Sequence, residues 1–557
     1  QVPVPDLAEF VHARNREVSD RHQTWLGALG PWVDVATLRD AARSTGDADL
    51  IRLVLEYLPL TFSRRHGDPS RPWNRFSINV RNDDGGELLS YEGNWRDIFQ
   101  NWEALLQSFP AYFAHVVAKF VNASTIDGYN PYRISRDGID WEVPDPGDPW
   151  SHIGYWGDHQ IIYLLRLLEA WEHHEPGAIR EWFDRPVFVY ADVPYVIADH
   201  DAMVDDPKNT ITFDTQRAAV IAARQQRVGS DGRLVVDVDG ALLRIGLLEK
   251  LLVPALAKLT SYVPGGGIWL NTQRPEWNDA NNALAGPGLS MVTLYHLRRY
   301  LRFVSSQLDG VDADSVGFTS SVAVWVGDIL DVFEQIPPAT EPIDDRARRS
   351  IVDALGAAGS AHRRRVGEGT ENTSLDVSIA DLRHLCELAG EHMEQSIRDA
   401  QRADGLYHSY NRVSFPTGDT AHVDHLGPML EGQVAVLSSG ALDPEDSIDL
   451  IDALFSSGMY RADQNTFMLY PVVALPPFLE RNIVPPEAVA ATPWLAGSAD
   501  DSLRRILTTD PDGRLRFRPD IINTGVLATL LDQTTLSESD RVRVTELYEQ
   551  VFHHHSF

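Results

Sequence analysis

Apolar residues recur at helical spacing in one long stretch after another of this 557-residue chain, which limits the fold to packed helices. The stretches are 98–120, 161–171, 246–259, 290–308, 322–336, 379–397, 432–442, 522–531 and 540–551. Gly-, Pro-, Asp- and Asn-rich connections separate them, several carrying Trp and Tyr. One alternating segment, 233–244, reads as a small β-hairpin turning at Asp239-Gly240. Paired helices joined by alternating short and long loops predict a mainly α protein, an α-helical toroid whose long loops gather polar and aromatic groups at one rim. Residues 1–80 read as an N-terminal helical extension and 81–557 as the barrel.

The net charge of −31, from 49 basic and 80 acidic residues, sets the protein against nucleic acid and anionic membranes and favours a neutral substrate. The single cysteine, Cys386, lies in an apolar helical run, so neither a disulfide framework nor a Cys-based metal site is expected. No run approaches the ~18 apolar residues of a membrane helix. A cytoplasmic setting is the expectation, no cofactor is called for, and association of identical chains is left open. Gln1 is not an initiator, so the numbering is expected to start inside a longer chain or after processing.

Four clusters carry chemistry. Asn271-Thr-Gln-Arg-Pro-Glu-Trp-Asn-Asp-Ala-Asn-Asn282 places Glu276 and Asp279 around Trp277, with Gln273, Arg274 and Asn278 alongside. A protonated carboxylic acid beside an aromatic ring and amide side chains is what glycosidic cleavage needs. Gly265-Gly-Gly267 before it and Ala285-Gly-Pro-Gly288 after it suggest a loop running into or out of a helix. The bland reading is a solvated Asn-rich loop. In Trp95-Arg-Asp97 the carboxylate and guanidinium suit pyranose hydroxyls and Trp suits the ring face, although Asp97 would equally serve as a helix cap. The loop from Asn130 to Gln160 brings Tyr155, Trp156, Asp158 and His159 together, either as a polar-aromatic sugar cleft or as aromatic packing. His152 and His159 lack a third ligand at metal spacing, so no metal is expected. Finally, Arg412, His422, His425 and Glu431 crowd before a helix, where Glu431 is either a first-turn acid or a general base.

Glu276-Trp-Asn-Asp-Ala-Asn-Asn282 resembles the acid motif of family 94 glycoside phosphorylases, and it is also similar to a segment of the glucosidase half of glycogen-debranching enzyme. Trp95-Arg-Asp-Ile-Phe99 resembles the Arg-Asp segment of debranching enzymes and glucoamylases, and Glu431-Gly-Gln433 is faintly similar to the surroundings of the glucoamylase-type base. The resemblance implies an (α/α)6 barrel of the six-hairpin glycosidases and a glucoside as substrate. It also implies that Arg96 and Asp97 hold the sugar at the −1 subsite. Family 94 places the acid at Glu276 and the debranching pattern at Asp279; Glu276 is preferred. Unlike family 94 enzymes, which carry a large N-terminal β-sandwich, residues 1–90 read as helix and loop.

The expectation from these readings is an anomer-inverting glycoside hydrolase acting on a neutral oligo- or polysaccharide, with Glu276 as acid and Glu431 as base. Such a pair stands roughly 6.5–9.5 Å apart. The first alternative is an inverting phosphorylase, with Arg412, His422 and His425 forming a local basic pocket for phosphate. The second is a saccharide-binding protein without turnover.

Overall fold

The computed structural model describes residues 1–62, 92–131, 133–136, 138–147, 153–155, 160–272, 284–338, 342–369, 373–471, 477, 480, 482–491 and 503–552, leaving aside the side chains of 60, 92–97, 133 and 491. Described residues fall into two compact units, Gln1–Pro471 and Val472–Phe557. The expected boundary near residue 80 falls outside the described residues.

The first unit is mainly helical, as the apolar periodicity requires. It begins with α1 (Val4–Arg14) and α2 (Ala48–Glu56), followed by α3 (Trp95–Ser108), α4 (Phe113–Asn122) and α5 (Gln160–His174). The central helix, α6 (Leu247–Leu259), is buried at every position, because it is apolar around its whole circumference. Its three charged residues therefore need internal partners. Glu249 accepts from the Tyr190 hydroxyl at 2.7 Å and from the Thr319 N–H at 2.7 Å. Lys250 Nζ donates to Ser124 O at 3.1 Å and sits 3.8 Å from the centre of the Tyr190 ring. Lys258 Nζ lies 5.0 Å from the Tyr129 ring.

After α6 come α7 (Met291–Leu308), α8 (Ser320–Gln335), α9 (Asp345–Gly367), α10 (Ile379–Asp399) and α11 (Leu430–Ser439); α6 packs on α4, α5, α7 and α8, α7 on α10, α11 and α5, and α8 on α9. The segment 98–120, expected as one helix, is two: α3 stops at Ser108, and a 3-10 turn starting at Pro110 precedes α4. Pro110 has no N–H to continue the ladder. The 23-residue α9 is the largest departure, since no long helix was expected there. Its sequence carries six arginines and three glycines, so its overall polarity masks the face that it buries.

Small antiparallel sheets lie between the helices, more than the one hairpin expected. One consists of β1 (Glu92–Asn94), β2 (Arg133–Ser135) and β3 (Gly138–Asp140). A second contains β4 (Tyr262–Val263), β5 (Gly267–Trp269), β6 (Gly288–Ser290), β7 (Tyr410–Ser414) and β8 (His422–His425), in the order β8-β7-β6-β5-β4. The expected 233–244 hairpin is present in short form: around the bridge from Val236 to Leu242, Leu243 N–H donates to Val235 O at 3.1 Å, Asp237 N–H to Ala241 O at 2.8 Å and Gly240 N–H to Asp237 O at 3.0 Å.

The five-stranded sheet fills the connections between α6 and α7 and between α10 and α11, and so fixes where those loops meet. One tight point is Gly267, at φ +125°, where a Cβ would fall 2.7 Å from the Ser290 carbonyl carbon. Only glycine tolerates both that backbone conformation and that approach.

A buried ionic network ties the N-terminal helices to the same unit. Arg14 pairs with Glu56, Arg52 bonds Glu56 at 3.1 Å and pairs with Asp231, and Asn122 donates to Glu56 at 2.8 Å. Burial by itself would raise the Glu56 pKa, but the Arg14 and Arg52 guanidiniums outweigh it and hold the carboxyl at about 2.

The second unit has its own apolar core, built on Ile506, Phe517, Leu527 and Tyr548, with helices α12 (Thr524–Leu531) and α13 (Glu538–Phe552). Among the described residues no helix is long and apolar enough to cross a membrane.

Candidate active site

Much of the expected site lies outside the described residues: Gln273, Arg274, Glu276, Trp277, Asn278 and Asp279 of the acid segment, and Trp156, Asp158 and His159. The side chains of Trp95, Arg96 and Asp97 are outside as well, although their backbone opens α3. That backbone places Asp97 inside the first turn, past the cap position.

The structure does settle how the segments carrying these residues are joined. The acid segment connects β5 to β6, two strands of one sheet, whereas the flanking glycines had suggested a loop adjoining a helix. The helix follows immediately, because Ser290 closes β6 and caps α7 by accepting from Thr293 N–H at 3.0 Å. Both feet of the loop are held. Leu270 N–H donates to Gly288 O at 2.8 Å, and Trp269 Nε1 donates to Gly286 O at 2.6 Å.

The aromatic loop reaches the same foot, where Tyr155 N–H donates to Thr272 O at 3.1 Å. Tyr155, expected among the sugar-facing aromatics, is 2% exposed. Its ring stacks on Tyr129 at 5.3 Å and meets Tyr195 edge-on at 5.1 Å. Burial drives its phenol pKa well above the ordinary value. The observed role of Tyr155 is to seat the loop. On the far side of this loop, Gly93 pairs with Ile134, so the strand that leads into Trp95-Arg96-Asp97 adjoins the aromatic segment.

The C-terminal cluster joins from the other edge. In β7, Gly288 pairs with Arg412 and Leu289 with Asn411, and β8 continues with Asn411 opposite His425 and Arg412 opposite Asp424. Directly paired residues share a face and neighbours along a strand alternate. Arg412, Asp424 and His422 therefore project to one face, and Asn411 and His425 to the other. The three cationic residues expected to pool into one pocket are divided, two and one.

On the first face, His422 Nδ1 lies 2.9 Å from Asp345 Oδ2 and its Nε2 lies 3.4 Å from Asp424 Oδ1. The hydrogen bond from His422 holds the Asp345 carboxyl below the usual range. On the second face, Asn411, fully buried, donates from Nδ2 to Gly266 O at 2.7 Å and takes up His425 Nδ1 at 2.9 Å. With its amide nitrogen spent on a carbonyl, Asn411 offers only an acceptor, so His425 must carry its proton on Nδ1. The His425 ring stacks on His408 at 4.0 Å. Burial, with His425 beside it, pushes His408 down to about 4. Burial and then Arg348 lower His425 as well.

Glu431 sits in the first turn of α11, half-buried, and accepts from the Tyr410 hydroxyl at 3.2 Å. The start of this helix is clasped to the residues just before β7. Gln433 accepts from Tyr407 N–H at 2.8 Å and donates to Tyr407 O at 2.7 Å, while Gly432 N–H donates to Ser409 Oγ at 3.0 Å. Tyr410, Asn411 and Gln433 all stand in the polar stretch that drew attention to this region. Their bonding partners lie up to 145 residues away, as for Asn411 and Gly266, so nothing local in the sequence marks their roles.

Backbone pairing thus joins 92–94 to 133–135, Tyr155 to Thr272, and 288–290 to both 268–269 and 410–412, with 422–425 beyond.

Comparison with known families places both ends of the chain. Residues 475–555 match a family model described as GH149 phosphorylase insertion domain 2, and residues 1–59 match glycoside hydrolase family 149 insertion domain 1. The first match nearly coincides with the second compact unit, Val472–Phe557. No curated protein matches the chain. The two matches make the chain similar to a carbohydrate-active family at its ends, and the segments that drew attention as sugar-handling lie between them.

Proposed function

We propose that the chain acts in an inverting glycoside phosphorylase on a neutral oligo- or polysaccharide, with a glucoside as the substrate. The carrying observation is the pair of insertion-domain matches, one of which bears the word phosphorylase. They replace the hydrolase expectation as the leading reading. The (α/α)6 toroid goes with this proposal, and the mainly helical first unit is compatible with it.

In this mechanism a carboxylic acid of the 276–279 segment, Glu276 in preference to Asp279, gives its proton to the glycosidic oxygen as the bond to the anomeric carbon breaks. An oxygen of inorganic phosphate attacks that carbon from the opposite side, and the products are a sugar 1-phosphate of inverted configuration and a shortened saccharide. Trp95, Arg96 and Asp97 hold the sugar. Arg412 and His422, sharing one face of the sheet, supply positive charge for the phosphate. His425 faces away from them and takes a separate part as a hydrogen-bond partner.

Hydrolysis stays as a second reading because of Glu431. Its carboxylate is held by Tyr410 and would be the base activating water. The deciding experiment incubates α- and β-linked glucosides with and without phosphate. Phosphate-dependent formation of a sugar 1-phosphate supports the proposal, and free sugar released equally without phosphate overturns it. Binding without turnover would favour a purely saccharide-binding role.

A further inference from the structure

Behind the glycine turn that opens β5 lies a cavity of about 310 Å³, separate from the sheet faces discussed above and independent of the catalytic reading. Its walls are mostly apolar: Tyr262, Pro264, Ile336, Pro337, Ile343 and Ile351. We propose that it binds a small organic cation, an ammonium group carried on an apolar body, with Asp399 as the counter-ion.

The polar groups lining the cavity are nearly all committed to the protein. The Tyr262 hydroxyl bonds His392 O at 2.9 Å and Ser396 Oγ at 2.7 Å, and Ser396 Oγ also accepts from Gly265 N–H at 2.9 Å. His392 Nε2 lies 2.8 Å from Ile336 O. Gln395 donates to Asp399 Oδ1 at 2.9 Å and accepts from Arg398 at 2.8 Å.

Asp399 is the exception. Its carboxylate receives that one amide and no ion pair among the described residues. Burial raises its pKa, and the nearest cations, Arg398 and Arg348, are bound elsewhere. Arg348 bonds Asp345 at 2.5 Å and the carbonyls of Pro264 at 2.9 Å and Ile343 at 3.0 Å. A half-buried carboxylate on the wall of an apolar cavity, with no direct ion pair among the described residues and with the guanidiniums of Arg398 and Arg348 hydrogen-bonded to other groups, is stabilised by a cation that meets it.

A sugar fits this lining poorly. Its several hydroxyls would find only Asp399 and the exposed Ser350 hydroxyl uncommitted. One strong acceptor among apolar walls selects a ligand with one charged donor and an apolar remainder.

The test measures binding of benzylamine, benzyl alcohol and benzoate to the full chain at neutral pH by calorimetry, with sugar and phosphate absent. Benzylammonium should bind at least tenfold more tightly than the alcohol, and benzoate should not bind. Asp399→Asn, which keeps the Gln395 contact, should erase the preference for the amine. Ala347→Trp, at an exposed position on the cavity wall, should block all binding, with thermal melts confirming that both variants fold. The proposal is overturned if benzylammonium does not bind, if the alcohol binds equally well, or if Asp399→Asn leaves the preference intact.

Discussion

The Tyr410 hydroxyl donates to the Glu431 carboxylate at 3.2 Å, linking β7, the strand beside the acid loop, to the first turn of α11. This contact makes Glu431 the residue that separates the two catalytic readings. In a phosphorylase the nucleophile is phosphate and no carboxylate base is needed. Glu431→Gln should then keep phosphorolysis within about tenfold of the parent, whereas a hydrolase losing its base would fall by about 10²–10⁴-fold. Initial rates of sugar 1-phosphate formation make the comparison.

Glu276→Gln should remove turnover while the thermal transition stays in place. Asp279→Asn should do less damage, because Glu276 is preferred to Asp279 as the acid. A rate loss confined to Asp279→Asn would transfer the acid role to that residue.

Asn411→Leu should be costly. It strands the buried Gly266 carbonyl and frees the His425 ring, and an unsatisfied buried group costs about 1–3 kcal/mol. Since His425 is exposed, His425→Ala should cost less. Denaturant titration of the two variants gives the order, and equal losses would refute the role assigned to Asn411.

Gly267→Ala combines a positive φ with contact against the Ser290 backbone, so its destabilisation should exceed the ~1 kcal/mol typical of point mutants. A melting temperature unchanged from the parent would show that the turn can relax.

Glu56 governs part of the acid stability. Its folded pKa, about 2, lies below the ordinary carboxylate value of 4.5, so its contribution is complete above 4.5 and disappears as pH falls toward 2. The loss is on the order of 3 kcal/mol. Stability measured from pH 6 to pH 2, compared with Glu56→Gln, should show a shallower decline in the variant. Parallel curves would place the ionic strength of this network elsewhere.

Helices with a strong apolar stripe were legible from the sequence nearly to the residue, as with α10, expected over 379–397 and found at Ile379–Asp399. The arginine-rich α9 was not legible. It packs against α8, but its six arginines make it polar overall and mask the face that it buries.

By itself the sequence determined the helical class and the identity of the polar segments, because periodicity and side-chain chemistry are local properties. Only the tertiary structure decided that the acid loop hangs between two strands and that His425 is turned away from Arg412 and His422. It also decided that Tyr155 is packed rather than presented. Strand pairing between residues far apart in the chain sets which side chains share a face, and a shift of one residue would reverse the placement of His425 against Arg412 and His422.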